Sequence, residues 1–152
     1  MKYLFFQYII MSYELKTKVN DANIEAFINT IIEPQKKEDC SLLLEIFKTL
    51  SWCPAKMWGK NIVWFWTYTY KYVSGQTWDW MRAGFAPRAW WISIYIMPGY
   101  EFWNMEELLS KLWKYKSWKS CLNIKKLSDI DLKILEEIIV LGLEDMKQRY
   151  PE

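Results

Sequence analysis

The stretch Asn61–Arg88, "NIVWFWTYTYKYVSGQTWDWMRAGFAPR", decides how the chain is folded. It is rich in β-branched and aromatic residues, and Tyr68, Tyr70 and Tyr72 alternate with Thr67, Thr69 and Lys71. A period of two sends successive side chains to opposite faces of a strand, so 61–72 is expected to be one. "SGQTWD", Ser74–Asp79, supplies the turn chemistry of a hairpin, and Trp80–Phe85 returns as the partner strand. Ile92–Met97 reads as a third strand, ended by Pro98-Gly99.

On both sides of this core the period changes. Asn20 or Asp21 is expected to cap a first helix reaching about Ile32, with Ile24, Phe27, Ile28 and Ile31 on one face. Pro34 suits the first turn of a second helix, which runs to about Leu50 and buries Leu43, Leu44, Phe47 and Leu50. Downstream, Asn104 is expected to cap a helix carrying Leu108, Leu109 and Leu112, followed by a short strand at Cys121–Ile124. Ser128 with Asp131 has the form of a capping box for a last helix, Asp129 to about Arg149, in which Gly142 is a weak point. The order is α-α-β-β-β-α-β-α, with room for an extra short strand near Met57. Its class is α+β, an antiparallel sheet packed against helices.

A chain of 152 residues fits one domain. Hydrophobic residues at 52% and charged residues at 25% are the proportions of a soluble globular protein. A net charge of +2 is too small to point to nucleic acid or a membrane. Its distribution is uneven: Lys111–Lys126 holds six lysines and no acid, while Ser128–Glu152 holds seven acids and three basic residues. The cysteines, Cys40, Cys53 and Cys121, have neither metal nor redox spacing and are expected to be reduced, which fits the cytoplasm. Histidine is absent. That excludes Ser-His-Asp and Cys-His catalysis and most zinc sites, so no enzyme activity is expected. The N-terminal "MKYLFFQYIIM" is a short apolar run broken by Gln7, too short to span a bilayer. Met11 is read as the true start, with residues 1–10 upstream of it; residues 1–11 are placed outside the domain and 12–150 form a single domain.

The tryptophans are the anomaly. There are eleven of them and only five glycines, where ordinary usage of about 7% would give roughly ten glycines. Several sit where a chain needs small residues: Trp78 in the hairpin, Trp113 at the end of a helical stretch, Trp118 in a polar turn. Such places call for positive φ or close backbone approach, which glycine provides and a large ring resists.

"MWGKNIV", "YTYKYVSG", "DWMRAGFAPR", "ISIYIMPGY" and "KYKSWKSCLNIKKLSDIDL" resemble, in order, successive motifs of the YdhG-like family, a bacterial domain of unknown function. The likeness runs from about Ser12 to Met146. It implies the same α+β class, in the form of a frataxin-like two-layer sandwich. It also favours glycine at Trp52, Trp64, Trp66, Trp78, Trp113 and Trp118, and less firmly at Trp90, Trp91 and Trp103; Trp58 and Trp80 fit as tryptophans. Nine such changes would raise glycine from five to fourteen and leave two tryptophans. A UGA codon meant as glycine and translated as tryptophan would account for them, with engineered substitution and a natural aromatic surface as the alternatives. Some of Trp64, Trp66, Trp78, Trp113 and Trp118 are therefore expected to be exposed or to have glycine-like backbone.

With those glycines restored, residues 113–120 match G-x-x-x-x-G-K-[ST]. A nucleotide-binding loop must follow a strand and open a helix, whereas this match follows a helix and precedes a strand, so it is read as coincidence. A weaker expectation remains: Lys114, Lys116, Lys119 and Ser120, with Arg88 as a clamp, bind a small anion or a protein partner. Trp58, Tyr70, Trp80 and Tyr95 are expected to line an aromatic pocket. The expected function is a non-catalytic binding module without a cofactor. The alternative implied by a frataxin-like branch of the family is an iron chaperone, with Glu38, Asp39, Asp129 and Asp131 as oxygen ligands.

Overall fold

The computed structural model describes residues 19–97, 99–100, 105–118 and 120–151. The proposed extension, the Met11 start, Asn104, Trp103 and Lys119 lie outside the described residues. The chain runs β1 (Val19–Asn20), α1 (Ile24–Asn29), α2 (Pro34–Ser51), β2 (Lys56–Trp58), β3 (Ile62–Lys71), β4 (Thr77–Pro87) and β5 (Ile92–Ile96). It continues through α3 (Met105–Leu112), β6 (Lys116–Trp118), β7 (Cys121–Ile124), a 3-10 turn (Leu127–Asp129) and α4 (Leu132–Arg149). The class is α+β, as expected. Seven antiparallel strands form one sheet in the order β1-β2-β3-β4-β5-β7-β6.

The hairpin of β3 and β4 is the centre of this sheet, pairing Val63 with Phe85 at one end and Lys71 with Thr77 at the other. Val63, Phe65, Ala83 and Phe85 are buried in the main core with Ile92, Ile94 and Ile96 of β5. The helices supply the opposing layer. Phe47 of α2 stacks on Phe65 and Phe85 at ring separations of 5.1 and 6.0 Å, and Leu135, Ile138 and Ile139 of α4 close the same core. A second, smaller cluster forms from Trp58, Trp64 and Met81, with Tyr95 and Met97 packed against it.

The β3–β4 pleat changes phase partway along. Simple alternation from Ala83 would send Met81 to the main core, but it lies in the second cluster. The change falls at Trp66, whose φ is +59°, beside Arg82. Both side chains reach the C-terminal end of α4: Arg82 donates to the Tyr150 carbonyl at 2.9 Å, and Lys147 lies 5.7 Å from the Trp66 ring centre. A left-handed residue inside a strand turns the chain locally, which re-aims the residues that follow.

Four expectations are corrected. Element order differs from α-α-β-β-β-α-β-α because β1 and β6 add pairs that sequence left as loops. The first helix is capped by Asn23, which accepts from the Ala26 N–H at 2.8 Å, and it ends at Asn29 rather than Ile32. Asn20 is occupied in β1, donating to the Gly59 carbonyl at 2.8 Å, while Asp21 pairs with Lys56 at 3.8 Å. The last helix starts at Leu132, capped by Asp131 alone, since residues 127–129 wind into the 3-10 turn first. Gly142 is less a weakness than a fit: a Cβ there would overlap the Ile96 Cγ2 methyl, so glycine lets α4 lie close against β5.

Candidate binding site

The basic run ends up at one end of the sheet. α3 stops at Leu112, and Trp113 turns the chain with a φ of +93° into the bend that precedes β6. Strand β6 then pairs Lys116 with Asn123 of β7, and β7 pairs Asn123 with Ser93 of β5. Ser93 and Asn123 share a 2.6 Å hydrogen bond in which the amide oxygen of Asn123 accepts, leaving its NH₂ end to donate elsewhere. These two residues alternate with the core residues Ile92, Ile94, Leu122 and Ile124, so they belong to the opposite side of the strands.

Around this corner lies a cavity of about 500 Å³, lined among others by Trp91, Lys114, Lys116, Asn123, Lys125 and Asp129. The Lys116 ammonium sits 5.9 Å from the centre of the Trp91 ring. Trp91 is placed by the loop between β4 and β5, where the Arg88 N–H donates to the Trp91 carbonyl at 2.7 Å. That loop is anchored from the helix side by Lys36, which donates to the Arg88 and Ala89 carbonyls at 2.9 and 3.2 Å. Asp129 is drawn toward Lys126, 3.9 Å away. Among the described residues its walls carry three ammonium groups and one carboxylate, a formal charge of +2. An adjoining cleft of about 320 Å³ shares Lys114 and Asp129 and carries both signs, with Lys111 and Asp131 among its walls.

Of the expected anion-binding residues, the structure brings Lys114 and Lys116 together. Ser120 does not line this cavity; its carbonyl accepts the Ile96 N–H at 3.3 Å. Arg88 does not line it either, because its guanidinium donates to the Tyr95 hydroxyl at 2.6 Å. Sequence reasoning missed Lys125, Asn123 and Trp91 as site residues. Lys125 was visible only as one of six lysines, and no spacing rule ties it to Trp91, 34 positions earlier.

The expected aromatic pocket is divided. Tyr70 and Trp80 line an open cleft of about 270 Å³ with Tyr68, Tyr72 and Trp78. Trp58 is buried, edge-on to both Trp64 and Trp80 at 5.4 and 5.3 Å. Tyr95 serves as the partner of Arg88.

Of the four carboxylates of the iron alternative, Glu38 is exposed on α2 and the other three do separate jobs. Asp39 is buried, accepting from the Leu127 N–H and from Gln35, each at 3.0 Å. Asp131 caps α4, Asp129 faces Lys126, and no group of three or more Cys, Asp or Glu residues suited to a metal gathers among the described residues. The Cys40 thiol is pushed up to about 12, chiefly by burial and secondarily by the Asp39 charge. Burial likewise raises Cys121. Both thiols are held away from the nucleophilic thiolate form near neutral pH. Among the described residues no helix is long and apolar enough to cross a membrane.

No family model, curated protein or solved structure matches this chain.

Proposed function

We propose that the protein is a non-catalytic binding module of the YdhG-like kind, whose ligand is an anion held at the β6–β7 corner. The observation that carries the reading is the convergence of Lys114, Lys116 and Lys125 on one cavity where Asp129 is the one carboxylate among the described residues. Lysine is a point-charge donor suited to anions that do not need a planar fork. The sheet supplies the rigidity: Lys116 and Asn123 are held in paired strands, so little ordering accompanies binding.

The test is a titration with inorganic phosphate and with pyrophosphate, followed by the amide signals of β6, β7 and Lys125. Saturable shifts at Lys116, Asn123 and Lys125 are expected, together with their loss in the Lys116→Ala/Lys125→Ala double variant. Shifts spread evenly over exposed lysines, or none, sink the reading. A parallel ferrous titration that moved Asp129 and Asp131 instead would favour the frataxin-like alternative.

A further inference from the structure

We infer that the anion this corner takes is a phosphate monoester of a sugar that carries a flat aromatic base, a nucleoside monophosphate in chemical class. The inference rests on the anion reading above and narrows it.

Three features choose this class. The first is size. A cavity of about 500 Å³ falls in the range of about 300–1,000 Å³ that holds small organic ligands, which is far more space than a lone phosphate fills. The second is charge. The formal +2 of Lys114, Lys116, Lys125 and Asp129 matches the charge of about −1.5 to −2 that a phosphate monoester carries near neutral pH. A single carboxylate would leave it under-compensated. The third is the ring. Trp91 lines the same cavity, and the Lys116 ammonium stands over its ring 5.9 Å from the centre, so a base stacking on that face would move the ammonium toward the phosphate. Stacking on an aromatic side chain tolerates any base, because every base has a π face. Asn123 adds an amide donor whose oxygen is already engaged by Ser93. Trp91 is also at ease where it stands: the non-glycine residues with positive φ are Trp52, Trp66 and Trp113 among the described residues, so the backbone at 91 makes no demand for glycine.

Lys114 and Lys116 lie within the letter pattern at 113–120, but the arrangement is not the phosphate loop that pattern spells. That pattern implies backbone N–H groups opening a helix, whereas here Trp113 follows α3 and residues 116–118 form β6. The phosphate would be met by side chains from two segments, Lys114–Lys116 and Asn123–Lys125, with Trp91 from a third against the base.

The experiment is calorimetric titration of the full chain with adenosine monophosphate, uridine monophosphate, ribose 5-phosphate and inorganic phosphate. Base stacking of about 1–3 kcal/mol predicts that both nucleotides bind at least about five-fold tighter than ribose 5-phosphate. Trp91→Ala is expected to erase that preference while ribose 5-phosphate affinity is kept. Lys116→Ala/Lys125→Ala is expected to abolish binding of all four probes. Equal affinity for nucleotides and ribose 5-phosphate overturns the inference and leaves the anion reading standing. A nucleotide preference that survives Trp91→Ala overturns it too. Failure of every probe overturns both.

Discussion

Trp52, Trp66 and Trp113 have left-handed or glycine-like backbone, with φ of +55°, +59° and +93°. For a residue with a Cβ, such a conformation costs about 1–2 kcal/mol. At Trp52, just past the end of α2, the ring is 93% exposed, and at Trp113 it is 78% exposed, so little packing offsets the strain. Trp66 differs, because its ring lies 4.9 Å from the Arg82 guanidinium carbon and 5.7 Å from the Lys147 ammonium. Trp64 is buried, and its indole N–H finds no acceptor among the described residues. We therefore expect Trp52→Gly and Trp113→Gly each to raise stability by about 1 kcal/mol. Trp90→Gly, at an equally exposed ring without positive φ, should instead lower it by up to about 1 kcal/mol, because glycine loosens the unfolded chain. Urea midpoints of the three variants decide; equal effects at all three would remove the steric argument. On the proposal that these positions are misread glycine codons, the gene carries UGA at 52, 66 and 113, and UGG there would refute it.

The joints between helices and sheet depend on a few buried polar contacts. Asp39 reaches from α2 across 88 positions to accept the Leu127 N–H, fixing the 3-10 turn that leads into α4. That N–H is buried, and removing its partner leaves a desolvated donor worth about 1–3 kcal/mol. Asp131 instead caps an exposed helix start, accepting from the Lys133 and Ile134 N–H groups at 2.9 and 3.3 Å, a contribution of about 1 kcal/mol. Asp39→Ala is therefore expected to be the costlier change in denaturant unfolding. The reverse order would mean that the 3-10 turn finds another partner. In the sequence Asp131 stands at a helix start, while Asp39 is one acid inside α2 with nothing to mark its long-range role. Only the long-range contact separates an internal strut from a cap.

Burial across the domain sets its response to alkali. Tyr100 is raised well above its ordinary 10.0 by burial first and the Cys121 charge second, and Cys40 stands at about 12 against an ordinary 9.0. Both groups are neutral acids whose folded pKa lies above the unfolded one. Their contribution is fully present below pH about 9 and shrinks above it, because the unfolded chain then releases protons that the fold retains. The melting temperature is expected to fall progressively between pH about 9 and about 11, and Cys40→Ala should flatten the first part of that fall. A melting temperature constant over this range would mean that these groups are wet in the native state.

The sequence carried much of this architecture on its own. The alternation in 61–72 marked β3 to within a residue, the apolar spacing after Pro34 marked α2, and Cys121–Ile124 proved to be β7. These are local signals, in which each residue's neighbours in the chain are also those it packs beside or points away from. β1 and β6 gave no such signal, because strands of two and three residues are made by the partner they pair with. The same reason governs the site. Six lysines could be counted in the run Lys111–Lys126, but which of them face Trp91, and that Arg88 turns away to Tyr95, follows from three strands meeting at one corner. Periodicity reports what a segment does alone; convergence of distant segments exists only once the sheet has closed.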